Sequence, residues 1–153
     1  SCGLNGGPLE GKGTYPSYIA CNLFTKVENM YSGGAGKNGF WLDGHFPIIT
    51  QDGRDGDEED GYIMNMTDSA TAGFKYFDCQ GVKKITLTVR GYAGGYFAVK
   101  TAWDGPELAQ VPLHFTNIWT DFSADVAIPD GVQAIYLTYC GSGSAMLKSF
   151  TLE

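Results

Sequence analysis

Apolar and polar residues alternate one by one through three stretches of the chain. Ile85, Leu87 and Val89 alternate with Thr86, Thr88 and Arg90; Phe122, Ala124, Val126 and Ile128 alternate with polar or small neighbours; Ile135, Leu137 and Tyr139 repeat the pattern. A period of two sends successive side chains to opposite faces, so each stretch reads as a half-buried antiparallel strand. Shorter apolar runs at 62–66, 73–79, 97–101, 108–113 and 146–152 read as further strands, and 18–24 is apolar enough to join them. Phe40-Trp41-Leu42 and 46–50 flank Asp43-Gly44, a hairpin-turn signal. No segment repeats convincingly with the helical period of about 3.6. Roughly nine or ten strands at intervals of roughly 8–15 residues predict an all-β fold, an antiparallel β-sandwich of jelly-roll type.

The segments between these runs divide the chain. Residues 1–17 are rich in Gly and Pro and carry no period, which predicts a linker or junction strap, with few ladder bonds over 1–13, followed by a sandwich domain over 18–153. In the second half, Asp104-Gly105-Pro106 marks a turn, and a polar turn at Thr116-Asn117 presents Trp119 just ahead of an alternating strand. A tryptophan lifted between strands is either a core plug or a platform for a flat ligand. The polar neighbours Asn117, Thr120 and Asp121 favour the platform. Trp41, between Phe40 and Leu42, and Trp103, before a tight turn, read as structural.

Composition narrows the choice of partner. The 153 residues are 43% hydrophobic, enough for one sizeable core, and the 22 glycines suit many tight turns. Three Trp, nine Tyr and nine Phe against only 18% charged residues hint at ligand contact beyond core needs. A net charge of −7 argues against nucleic acid and anionic membranes, which need a basic patch, and leaves neutral sugars as natural partners. No apolar run approaches the ~20 residues of a membrane helix. No signal peptide is present, so a mature or excised piece is expected. Cys2, Cys21, Cys79 and Cys140 lack metal-type spacing. Cys79 and Cys140, each at a predicted strand end, are the pair favoured for a disulfide, with buried free thiols as the alternative. The run 52–60 holds six carboxylates, either a hard-cation loop or a solvated, self-repelling one.

The turn Trp103-Asp104-Gly105-Pro106, the short strand after it and the Thr116-x-x-Trp119-x-x-Phe122 segment resemble family 6 carbohydrate-binding modules. Gly61-Tyr62-Ile63, Glu28 after an apolar strand and a last strand ending Phe150-Thr151-Leu152 extend the resemblance over roughly 26–153. Residues 3–24 resemble the junction that follows the catalytic domain of some family 43 glycosidases. The resemblance implies a sugar site in the loops at one end of the sandwich, with Tyr62 and Trp119 sandwiching a sugar ring. Asn117, Asp121 and Ser144 are the polar candidates around them, Ser144 standing in the 141–146 loop where the family has an Asn. The family's structural calcium would use Glu28, but Lys148 stands where its Asp belongs, so the ion is optional and no cofactor is required.

Catalysis is disfavoured. A glycosidase needs two carboxylates at fixed separation, one with a raised pKa, whereas the acids here crowd into one exposed-looking run; His45 and His114 adjoin no nucleophile motif. Two functions remain: a module targeting an appended hydrolase to plant cell-wall polysaccharide, xylan or a related β-linked glycan, or an accessory domain packed on a catalytic domain without binding sugar. Either implies an extracellular enzyme. Tyr62, Trp119 and the aromatic surplus favour the first, and the departures near Met146 and Lys148 the second.

Overall fold

The computed structural model describes residues 7–25, 47–51 and 61–153. Within them the chain forms β1 (Leu9–Glu10), β2 (Gly13–Pro16), a short 3-10 helix (Ser17–Ile19), β3 (Asn22–Phe24), β4 (Ile48–Gln51), β5 (Gly61–Met66), β6 (Thr71–Cys79), β7 (Lys84–Gly91), β8 (Ala93–Lys100), β9 (Ala109–Pro112), β10 (Thr116–Asp125), β11 (Gly131–Gly143) and β12 (Ala145–Leu152). They make two six-stranded sheets. One has the order β1-β6-β11-β8-β9, with β3 also on β6; the other has β10-β7-β12-β5-β4, with β2 also on β12. All pairs are antiparallel except β1 with β6. The all-β sandwich expected from the alternation is the fold observed.

The inward faces are the apolar sets of the alternating strands. Ile85, Leu87 and Val89 of β7, Ile135, Leu137 and Tyr139 of β11, and Leu147 and Phe150 of β12 are all buried. Phe74 and Phe77 of β6 meet Phe150 across the gap at centroid distances of 4.7 and 5.8 Å, joining the two sheets through aromatic packing.

The N-terminal segment departs from expectation. From residue 9 it is paired: Leu9 lies opposite Phe77, and β2 adds to β12 with Tyr15 opposite Phe150. Tyr15 packs on Phe77 and Phe150 at 5.1 and 5.8 Å, so its ring is part of the core wall. The strand expected over 18–24 is split. Pro16 leads into the 3-10 turn, where the buried Ser17 hydroxyl donates to the Leu147 carbonyl, and pairing resumes only at Asn22.

The favoured disulfide does not form. Cys79 sits opposite Gly131 and Cys140 opposite Tyr96, at two ends of β11. Nine residues of strand separate those positions by about 30 Å, against the ~7 Å limit for a bridge. Cys21, Cys79 and Cys140 are free thiols. Cys2, Glu28, Trp41, Asp43-Gly44, His45 and the acidic run lie outside the described residues.

Candidate functional site

The second sheet turns its polar face outward. With Leu87 and Val89 pointing in, Thr86, Thr88 and Arg90 point out, beside Asp121 and Ser123 of β10. Thr86 and Ser123 share a hydrogen bond of 3.0 Å, and the Thr88 hydroxyl donates to Asp121 at 2.6 Å. Thr14 and Thr151 are joined at 2.9 Å further along the same row. At one end of this face the ladder between β7 and β10 slips between Thr116 and Thr120. The slip is tied by Thr116 Oγ1, which accepts from the Ile118 N–H at 3.3 Å and meets Thr120 Oγ1 at 3.0 Å. A bulge of this kind re-aims side chains, and here it lifts Asn117, Ile118 and Trp119.

Trp119 and Tyr62 come together, although 57 positions separate them in sequence and β7 and β12 lie between their strands. Their ring centroids are 5.3 Å apart and the planes cross at 71°. Tyr62 is only 8% exposed. The Arg90 guanidinium lies 4.5 Å from the Trp119 centroid and 5.4 Å from that of Tyr62, and the Lys148 ammonium is 5.7 Å from Trp119. The expected pair is therefore assembled, but edge to face and under a guanidinium, rather than as parallel plates with a slot for a sugar. Quadrupole attraction between edge and face, and between cation and face, accounts for this packing.

The other sequence candidates spread out from the pair. Asn117 is exposed and lines a concavity of about 170 Å³ together with Arg90, Tyr92, Phe115 and Met146. Asp121 stands further down the outer face, held by Thr88. Ser144 is half-buried in the β11–β12 connection, its carbonyl 2.8 Å from where a Cβ on Gly91 would sit, and it lines neither this concavity nor its neighbour. That neighbour, about 450 Å³, is bounded by Tyr92, Gly94, Leu113, His114, Phe115 and Ser142. Arg90, Tyr92 and Phe115 were missed from sequence. The signal for Tyr92 was a lone aromatic inside a glycine turn, Gly91-Tyr92-Ala93-Gly94-Gly95.

Below the larger concavity Tyr139 is buried, its hydroxyl accepting from the Gly94 N–H at 3.1 Å and donating to the Ser142 carbonyl. Burial pushes its pKa up, as burial does for the thiols of Cys79 and Cys140. Among the described residues no three His, Cys, Asp or Glu side chains gather as a metal site. Lys148, which stands where the resemblance puts a calcium-ligating Asp, holds its ammonium 5.7 Å from the Trp119 ring, and Glu28 lies outside the described residues.

No protein-family model matches the chain. A xylosidase/arabinosidase of Thermoclostridium stercorarium is 60% identical over 152 residues, which are 99% of this chain and 32% of that protein. The chain thus spans about a third of the length of this curated relative. A family 6 carbohydrate-binding module from Clostridium stercorarium, solved with cellobiose, superposes with a TM-score of 0.72 at 16% identity, covering 97% of this chain and 98% of that one. Its fold is that of the family 6 carbohydrate-binding modules. A family 6 module from Clostridium cellulolyticum, solved with xylose, gives 0.71 at 14% identity over 94% and 98% of the two chains. The same family 6 fold occurs in a larger enzyme: a family 43 arabinoxylan arabinofuranohydrolase of Bacillus subtilis matches at 0.69 and 12% identity, over 95% of this chain and 28% of that chain.

Proposed function

We propose that the chain is a non-catalytic carbohydrate-binding module of a longer, extracellular glycoside hydrolase, and that it holds xylan or a related β-linked plant glycan through the Trp119 end of the sandwich. The observation that carries this is the convergence of Trp119 and Tyr62 at one end of the outer face. The relative, named as a xylosidase/arabinosidase, supports the substrate class. Pyranose rings present C–H faces that an aromatic plane strips of water at ~25 cal/mol per Å², with rim hydroxyls left to polar groups such as Asn117 and Asp121. That is a few kcal/mol per contact, which suits a weak, reversible anchor. Affinity electrophoresis of the chain against xylans, arabinans and β-glucans tests the proposal: retardation by a xylan is expected, and migration indifferent to every glycan would overturn it.

A second reading has an observation in its favour. Tyr62 is nearly closed off and Arg90 covers Trp119, as in a packed structural patch. An accessory domain that supports a catalytic domain without touching sugar would show no retardation yet would stabilise the longer enzyme.

A further inference from the structure

We propose that the exposed aromatic pair Tyr92–Phe115, with the concavity on each side of it, is a second glycan-contacting platform that extends the Trp119 end into a site for several sugar units, an inference resting on the sugar-binding reading above. Tyr92 is 76% exposed and Phe115 51%. Their rings lie 4.6 Å apart at 32°, and together they form a wall of both concavities. Because the two rings adjoin, they form a contiguous exposed apolar patch, the kind of surface that marks a ligand or partner contact rather than scattered single residues.

The chemistry of the lining selects a neutral, hydroxylated ligand with apolar faces. Leu113, Met146 and the two rings supply the apolar walls, while Ser142, His114 and Asn117 supply donors and acceptors at the rim. Among the described residues that line the two concavities none is a carboxylate, and Arg90 is the one permanently charged side chain. Continuity with Trp119 runs through that same Arg90, which borders the smaller concavity and lies 4.5 Å from the indole. Trp119, the smaller concavity, the Tyr92–Phe115 pair and the larger concavity therefore follow one another along the loop end, as successive units of a polysaccharide would.

The platform is also pre-formed. Gly143, at φ +70°, lets its backbone approach Tyr92 so closely that a Cβ would sit 1.7 Å from the Tyr92 carbonyl oxygen. The Tyr139 hydroxyl links Gly94 and Ser142, two walls of the larger concavity. A wall fixed before binding has less ordering entropy to lose when the ligand arrives.

Titration calorimetry of the 153-residue chain with xylohexaose and xylobiose, with soluble xylan by affinity electrophoresis, tests the proposal. Tyr92→Ala and Phe115→Ala are each expected to weaken xylohexaose and xylan binding about tenfold, while xylobiose binding stays unchanged and the thermal midpoint drops only slightly, by the one ring pair lost; Tyr92→Trp should keep the affinity. Trp119→Ala should weaken all three ligands. If the two platform variants bind xylohexaose like the wild type while Trp119→Ala does not, the platform is rejected and the sugar-binding reading stands. If the wild type binds none of the glycans, both fall. If the variants change only the solution mass by light scattering, the pair is a self-association surface and the proposal is overturned.

Discussion

Trp119 owes its place to two threonines, and that makes it separable from the core. Thr116 and Thr120 tie the bulge, so the indole stands on the outer face with Tyr62 and Arg90 as neighbours. Removing it forfeits one aromatic pair and two cation–π contacts, together about 1.5–3.5 kcal/mol, out of a domain stability of ~5–15 kcal/mol. Trp119→Ala should thus unfold cooperatively at a modestly lower temperature while losing retention on xylan; retention like that of the wild type would remove Trp119 from the site. Cys79 illustrates the opposite case, a side chain with no surface role. Burial, then Asp78 and Asp130, raise its pKa above the ordinary 9.0. A thiol held neutral in the fold contributes stability that is full below the unfolded value and is lost as pH climbs through the raised folded one. Tyr15 and Tyr139, raised above 10.0, act the same way at higher pH. Denaturant melts should show stability falling as pH rises past about 9, and Cys79→Ala should flatten the first part of that fall. An unchanged pH slope in the variant would exclude the thiol as its source.

At the scale of elements, alternation was enough for β7, β10 and β11, because period two survives in the residues that face the core. It failed where the partner lies at the other end of the chain. Gly13-Thr14-Tyr15-Pro16 carries no period, yet β12 recruits it, since Tyr15 fills the space between Phe77 and Phe150. Gly11 is equally committed, with no room for a Cβ against the Asp78 carbonyl oxygen, 2.2 Å away. The same blindness hid the site's details: Tyr62 and Trp119 were legible as motif residues, but not their edge-to-face packing, and Arg90 looked like one more outward polar position. Removing residues 1–16 is therefore expected to cost several kcal/mol, since Tyr15→Ala alone should cost about 2–4. Equal denaturant midpoints for the truncated and full chains would show that β1 and β2 only rest on the sandwich. In the β11–β12 turn, Gly143→Ala meets both a positive φ and the Tyr92 carbonyl. It should lower stability by about 1–3 kcal/mol and disturb the Tyr92 turn, readable as weakened xylohexaose binding beyond that of any neighbouring exposed substitution.

The whole molecule carries a net charge of −7, yet two cations, Arg90 and Lys148, lie over the Trp119 ring. Two kinds of glycan contact would use such a surface differently. If apolar ring faces do the holding, the energy comes from surface removed from water, which salt does not screen. If a charged substituent on the glycan is drawn to Arg90 and Lys148, attraction at the exposed loop end is screened once the Debye length drops from ~10 Å at 0.1 M salt to ~3 Å at 1 M. The acidic remainder of the chain would already oppose an anionic polymer at long range, and among the described residues the walls beside Tyr92 and Phe115 hold no carboxylate to recruit a cationic one. Neutral stacking is thus the favoured regime. Retention on soluble xylan should be unchanged, or slightly stronger, between about 0.05 and 1 M sodium chloride. A steep loss across that range, abolished by Arg90→Gln, would instead make the guanidinium the anchor and a uronate-bearing chain the ligand.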